Sequence, residues 1–151
     1  MLVNDTLNGN EGKGFITIDG KNRELFELIS IEANLELTVS ERKIMGSRLT
    51  QNKVTGGKGT GNIKMYFNNS DLLKIAKNYI NTGKYPEISI QAYVDDKTSS
   101  VGKQEVILRN VIIPNLLVIK LDFDSEDGLQ FESDFSFGRI DGLSYFKEIK
   151  Q

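Results

Sequence analysis

Residues 31–39 read Ile-Glu-Ala-Asn-Leu-Glu-Leu-Thr-Val, and this stretch decides the fold class. Apolar side chains occupy every odd position, and polar side chains occupy every even one. Successive side chains of a strand point to opposite faces, so the alternation predicts a β-strand with one buried and one hydrated face. If the extended chain continues to Met45, this arm (residues 31–45) is about 45 Å long at ~3.3 Å per residue. Such an arm is long for a small domain.

A glycine-rich segment follows the arm. Residues 46–61 contain five of the 14 glycines together with Arg48, Lys53 and Lys58, and they contain almost no apolar side chain. This composition predicts a long mobile loop over residues 47–61. The chain then returns as a strand over residues 62–67, with Ile63 and Met65 on one face. The sequence thus predicts a long β-hairpin with a flexible basic tip.

The remaining pattern predicts further strands and one helix. Asp19-Gly20 suits a tight hairpin turn between strands at residues 15–18 and 25–28. Asn69 or Ser70 is suited to cap a helix that ends at Gly83, and this helix has an apolar stripe typical of core packing at Leu72, Ile75, Ala76, Tyr79 and Ile80. Further strands are expected at residues 88–94, 105–113, 116–123 and 129–137, followed by a terminal segment packed through Tyr145 and Phe146. Together these elements predict a single domain, residues 1–151, that is mainly β with one flanking helix.

The composition restricts the chemistry that the chain can perform. There is no Cys and no His among the 151 residues, which removes thiol nucleophiles, disulfides and the commonest general base and metal ligand. The net charge of −2 gives no support for binding a nucleic-acid backbone. The first residues have no signal-peptide pattern, and the apolar segment at 111–119 is broken by Pro114 and is too short to span a bilayer. We expect a product that starts in the cytoplasm.

Two motifs fail closer comparison with functional patterns. In residues 56–61, Gly-Gly-Lys-Gly-Thr-Gly, the phosphate-loop pattern is broken because Asn52 stands where its first Gly belongs and Gly59 follows the Lys. The acidic residues Asp122, Asp124, Glu126 and Asp127 do not match the spacing of a calcium loop, and they indicate a solvated turn. No catalytic, cofactor-binding or metal-binding residue is predicted.

Several stretches resemble the tail tube protein family of PBSX-type defective prophages and R-type bacteriocins such as the diffocins. The most specific stretch is Lys43-Ile44-Met45-Gly46-Ser47-Arg48, continued by Gln51, Lys53, Thr55-Gly56, Lys58-Gly59-Thr60-Gly61 and Met65-Tyr66. Weaker stretches are Asn10-Glu11-Gly12, Thr17-Ile18-Asp19-Gly20 and the run from Thr98 to Gln104. The resemblance implies a β-sandwich or barrel of the tail-tube type. It also implies hexameric rings that stack into a hollow tube within a contractile sheath, with sheath, baseplate and tape-measure partners and DNA at most in transit.

Two groups of site residues follow for a tube of this kind. The expected lumen-facing residues are Glu32, Glu36 and Thr38, with Leu35, Leu37 and Val39 toward the core; the open alternative puts the carboxylates on the outer wall. The expected ring-stacking loop, which would meet an acidic surface of the next ring, contains Arg48, Gln51, Lys53, Gly56, Gly57, Lys58 and Gly59. Two other functions stay open: a monomeric small β-barrel that binds a ligand or single-stranded nucleic acid, and a hydrolase that uses Asp or Glu.

Overall fold

The computed structural model describes residues 3–124 and 126–148. It is mainly β with one helix, as the sequence predicts. Two short 3-10 turns, Val3–Asp5 and Gly9–Glu11, precede the regular elements. In chain order these are β1 (Gly12–Ile18), β2 (Lys21–Glu24), β3 (Leu28–Arg42), β4 (Gln51–Tyr66), α1 (Asp71–Thr82), β5 (Ile88–Asp95), β6 (Lys103–Arg109), β7 (Gln130–Phe137) and β8 (Arg139–Ser144).

The strands form two antiparallel sheets that enclose the core. The larger sheet has the order β2-β1-β5-β6-β8, and the smaller sheet has the order β3-β4-β7. Buried side chains from both sheets and from α1 form one cluster, which includes Ile16, Ile63, Ile75, Ile90 and Phe135. The smaller sheet therefore has one face against the core and one face turned away from it.

The glycine-rich segment is a strand, and the prediction of a mobile loop over residues 47–61 is wrong. β4 pairs with β3 from Gln51 onward, which leaves residues 43–50 outside the strands. On its other side Gly59 lies opposite Phe137 and Gly61 lies opposite Phe135. A Cβ on Gly59 would come within 2.5 Å of the Phe137 ring. These glycines are present because aromatic rings from β7 lie over them, and composition alone does not show that.

Local turn signals place the other boundaries well. Asp19 and Gly20 have positive φ angles of 48° and 85°, as the predicted hairpin turn requires, but the return strand is Lys21–Glu24, so its prediction at residues 25–28 is wrong. α1 ends at Gly83 with a φ of 73°. At its start Ser70 occupies the N-cap position but makes no side-chain cap bond, and Asn69 Oδ1 instead accepts the N–H of Asp71 at 3.2 Å. Leu72 and Ile75 are buried, but Tyr79 and Ile80 are exposed, so the predicted core stripe covers only the first turns.

The segment between β6 and β7 differs from its prediction. β6 ends at Arg109 because Asn110 adopts a positive φ of 55°, and the strand expected at residues 116–123 is not formed. Ile112 bridges Ser136 through two backbone hydrogen bonds, but Pro114 has no N–H with which to continue the ladder. Ile113 is nevertheless buried, and its N–H donates to the Tyr85 hydroxyl at 2.9 Å. This segment is anchored at residues 111–113 and runs exposed over residues 118–124.

The last part of the chain forms an edge strand. β8 (Arg139–Ser144) pairs with β6, whereas the sequence predicts no strand there and only a packed terminal segment over residues 143–151. Tyr145 is exposed and Phe146 is half-buried, so the expected packing through Tyr145 is wrong. Residues 149–151, which belong to the same predicted segment, lie outside the described residues. Within the described ranges, no helix has the length and apolar character needed to cross a membrane.

Candidate functional site

The outer face of the smaller sheet is polar across all three strands. Side chains that lie opposite each other in an antiparallel pair share a face, so the register assigns this face directly. Glu32, Asn62 and Asp134 form one row across the sheet, and Glu36 and Lys58 lie side by side in another. Thr38 lies on the same face. The three residues expected to face a lumen, Glu32, Glu36 and Thr38, are thus on one hydrated surface.

The polar face carries both signs of charge with an acidic excess. Glu36 lies opposite Lys58, and Glu132 lies opposite Lys64. Asn62 Nδ2 donates to Asp134 Oδ1 at 2.9 Å. In the paired region, four carboxylates (Glu32, Glu36, Glu132 and Asp134) and two lysines leave a formal charge of −2. The surface is therefore mildly acidic, and its lysines moderate the field of the carboxylates.

The opposite face of the hairpin is apolar but leaves the core before it ends. Ile63 and Met65 are buried on this face near the base of the hairpin. Leu35, Leu37 and Val39 lie on the same face but are 52–56% exposed and do not belong to the buried core cluster. The expectation that they face the core of their own subunit is wrong. A cleft of about 430 Å³ at this level lies between the sheets and is lined by Ile31, Leu35, Val106 and Phe137.

The smaller sheet also has open edges. Among the strands in the described part of the chain, β3 pairs only with β4, so its other edge lacks a partner strand along its 15 residues, and every second residue there has unpaired backbone groups. As far as the structure describes the chain, the outer edge of β7 is bridged only at Ser136, by Ile112. Because alternate residues of an antiparallel strand point to alternate sides, the backbone groups of Glu132 and Asp134 point away from β4. Open edges of this kind are templates for pairing with another chain.

The residues expected to form a stacking loop occupy three different environments. Arg48 lies in the exposed segment 43–50, which is held by a hydrogen bond from the Ser47 N–H to the Ile44 carbonyl at 3.1 Å. Gln51 and Lys53 are exposed at the start of β4, whereas Gly56, Gly57 and Lys58 are exposed within the strand. Gly59 is buried under Phe137, so its assignment to a contact loop is wrong.

A partly buried ion cluster fixes the base of the hairpin to α1. The Arg23 guanidinium donates to both carboxylate oxygens of Glu27, at 2.7 and 3.0 Å, and to Asp71 at 2.6 Å. Asn69 Nδ2 donates to Glu27 at 2.8 Å, and Glu27 is only 5% exposed. Burial pushes the pKa of Glu27 upward, but the hydrogen bonds from Arg23 and its neighbours prevail and hold that pKa below its ordinary value. Sequence reasoning missed this cluster because Arg23 and Asp71 are 48 residues apart.

A second polar contact fixes the amino-terminal segment. Asp96 is buried and accepts the backbone N–H groups of Asn8 and Thr98, at 3.1 and 3.0 Å. The Thr98 hydroxyl also donates to it at 2.7 Å, and these bonds, with that from Thr98 first, lower the pKa of Asp96. Asp5 accepts the N–H of Ser100 at 3.1 Å. The first turns therefore dock on the loop between β5 and β6.

Exposed apolar side chains are numerous elsewhere on the molecule. They form groups on the far part of the hairpin, on the last turn of α1 and along residues 118–123. The largest exposures in these groups belong to Ile80, Met45, Leu49, Ile119, Leu121 and Phe123. Extended apolar surface of this kind marks a region that other proteins cover. Together with the open strand edges, it indicates a structural subunit whose surfaces are suited to contact other chains.

Comparison with known proteins identifies the class of assembly. The family model described as phage tail tube protein matches residues 1–144, and the chain belongs to this family. It is 36% identical over 141 residues to the phage-like element PBSX protein XkdM of Bacillus subtilis (strain 168), covering 93% of this chain and 92% of that protein. This chain is thus a structural subunit of a phage-type tail tube.

The fold also matches solved structures at low sequence identity. One is a chain of the anti-feeding prophage cap, a tube-terminating cap, with a TM-score of 0.68 and 9% identity over 95% of each chain. Another is a chain of the sheath–tube complex of an extracellular contractile injection system in its extended state. Its TM-score is 0.62 at 9% identity, with 87% of this chain and 88% of that chain covered. These likenesses show a shared fold.

Proposed function

We propose that the chain, as a single domain, forms hexameric rings that stack into the hollow inner tube of a contractile tail. The observation that carries this proposal is that one hairpin has both an open edge along the 15-residue strand β3 and an uncovered apolar surface. A neighbouring copy satisfies both needs at once, since it supplies a strand edge and an apolar surface. The number six comes from the resemblance to tail tube proteins.

The two faces of the smaller sheet support a definite orientation in the ring. The larger sheet and α1 lie on the apolar side, and the polar side carries no further layer of described elements. A ring closed through the edges of the smaller sheet has room for that second layer only on its outside. Glu32, Glu36 and Thr38 would then line the bore. A mildly acidic bore repels phosphate groups, so DNA in transit would slide instead of binding.

The partners and location follow from the same assembly. The subunit would assemble in the bacterial cytoplasm on a baseplate, around a tape-measure protein and inside a tail sheath, and would leave the cell within the particle. Its role would be structural and without enzymatic activity. Exposed α1, on the far side from the polar face, is available to the surrounding sheath.

Size-exclusion chromatography with electron microscopy of the full chain tests the proposal. We expect rings or tubes, either from the purified chain at high concentration or from particles produced in the native host. The rings should show six-fold symmetry and an open bore. A chain that stays monomeric and is absent from purified particles would contradict the proposal and favour a monomeric binding protein.

A further inference from the structure

Opposite charges gather at two places on the smaller sheet. The tip of the hairpin (residues 40–53, since Ser40 pairs with Lys53) contains Arg42, Lys43, Arg48 and Lys53 and one acidic residue, Glu41. The acidic turn (residues 122–127) contains Asp122, Asp124, Glu126 and Asp127 and no basic residue. The two patches therefore have opposite formal charges, +3 at the tip and −4 at the acidic turn.

The strand register places these patches at opposite ends of the sheet. The tip leads into β4 at Gln51, whereas the acidic turn precedes β7, which begins where Gln130 pairs with Tyr66. Lys120 Nζ donates to the Gln130 carbonyl at 2.5 Å, which holds the segment before the turn at that end. β4 has 16 residues and so spans about 50 Å at ~3.3 Å per residue. The two patches are too far apart to meet within one subunit.

Each patch also exposes large apolar side chains beside its charges. Met45 in the tip is fully exposed and Leu49 is largely exposed. Phe123 in the acidic turn is 99% exposed, and Leu121 beside it is largely exposed. Apolar anchors surrounded by complementary charge are typical of specific protein–protein contacts. The composition of each patch thus fits the other.

We propose that the tip of one copy docks on the acidic turn of a copy in the adjacent ring. This inference rests on the proposed function and names the acidic surface that receives the tip. A contact between two different patches at opposite ends of a subunit is head-to-tail, so each added ring presents the same acceptor to the next one. The tube can therefore grow by adding identical rings. In each contact, Arg48 and Lys53 of the tip would form ion pairs with Asp122 and Asp124 of the acidic turn.

Charge reversal with rescue tests the proposal. In particles from the native host, we expect D122K/D124K to reduce tube yield at least tenfold in electron micrographs while rings still form. The tip variant R48E/K53E should fail in the same way. The chain that carries all four changes should regain tubes, because the attractive pairs are restored with opposite polarity. Thermal unfolding of each purified variant checks that the subunit is folded, and K84E, an exposed charge outside both patches, is the control.

The outcomes separate this inference from the proposed function. Normal tubes from D122K/D124K, or no rescue in the four-fold variant, would overturn the ring-to-ring contact and leave the ring function intact. Failure of the wild-type chain to enter rings or particles would overturn both.

Cross-linking gives a direct second measurement, because the native chain has no Cys. Leu49→Cys with Phe123→Cys in one chain should give a ladder of multimers with a short bismaleimide in assembled tubes, and each single variant should not. Absence of the ladder would also overturn the contact.

Discussion

Two glycines of β4 lie beneath two phenylalanine rings of β7. Gly59 and Gly61 have no side chain, so the rings of Phe137 and Phe135 can approach the strand closely and remain buried. This packing joins the base of the hairpin to the core and sets the register between β4 and β7. The missing side chains are thus a packing requirement and not a sign of mobility.

A methyl group at Gly59 should therefore destabilise the subunit. We expect Gly59→Ala to lower the free energy of unfolding by about 1–3 kcal/mol, since the new Cβ would overlap the Phe137 ring and force the core to shift. Gly56→Ala is the matched control in the same strand, because a Cβ there meets nothing within 4 Å. Its effect should stay within about 0.5 kcal/mol. Equal stability of the two variants in urea unfolding would show that the packing of the Phe137 side chain does not require a glycine at position 59.

The Arg23–Glu27–Asp71 cluster predicts a pH dependence of subunit stability. We expect Glu27→Gln to cost about 2 kcal/mol near neutral pH, because a charged acceptor that receives bonds from Arg23 and Asn69 is lost. The folded pKa of Glu27 is lower than the unfolded one, so its stabilisation is complete above the unfolded value of ~4.3. It is lost as the pH falls further, through the folded pKa.

Urea unfolding of the wild type and Glu27→Gln between pH 3 and pH 7 checks this prediction. The difference between the two proteins should be constant above about pH 5 and should shrink steadily below about pH 4. A difference that grows on acidification would contradict the assigned direction.

Local chemistry decided which residues could be predicted from the sequence. Asp19-Gly20 and Gly83 were identified correctly because positive φ angles strongly favour such residues at a turn and a helix end. Gly59 was misinterpreted because its neighbour Phe137 is 78 residues away, and nothing nearby in sequence indicates the contact. Arg23 and Glu27 show no distinguishing pattern for the same reason.

The far half of the hairpin has an apolar face that the rest of the same subunit does not bury. Leu35, Leu37 and Val39 alternate with polar residues as strongly as any buried strand, yet they are half exposed in the single subunit. Alternation indicates which face is to be covered, and it does not indicate which chain covers it. The covering surface has to come from another copy in our account.

Replacing these leucines should separate folding from assembly. We expect Leu35→Thr/Leu37→Thr to change the unfolding free energy of the isolated subunit by less than about 1 kcal/mol, because both positions are exposed and Thr suits a strand. The same variant should greatly reduce ring and tube formation in electron micrographs, since the apolar contact between copies is lost. Normal tubes from the double variant would contradict the assigned interface; Ile63→Thr, at a buried position, is the control that should destabilise the subunit itself.

Strands and the helix could be predicted where the spacing of apolar residues was regular and nothing interrupted it. The arm, α1 and β7 were found because each has a regular apolar period and clear ends. Residues 116–123 have an equally apolar composition, but Pro114 interrupts their pairing with β7, so the segment stays outside the sheet. Apolar residues at every second position predict an extended chain, but they do not show whether a sheet edge is available for that chain to pair with.

On the scale of the whole molecule, the two sheets have different tasks. The larger sheet and α1 complete the core, whereas the smaller sheet places one face on that core and offers its polar face and both edges to the surroundings. The tail tube family could be identified from sequence stretches, because the chain resembles its members over most of its length. The arrangement of the site could not be predicted from the sequence, because the positions of the tip, the open edges and the acidic turn depend on the register between distant strands.

Cysteine accessibility in assembled tubes tests the central claim that the polar face of the smaller sheet lines the bore. The chain has no native Cys, so Glu36→Cys on the polar face and Lys77→Cys on exposed α1 each provide one reactive thiol. In dissociated subunits a bulky polymer-linked maleimide should modify both variants. In sheath-free tubes it should modify Lys77→Cys and leave Glu36→Cys unmodified, because the reagent cannot enter the bore. Full modification of Glu36→Cys in intact tubes would contradict the account.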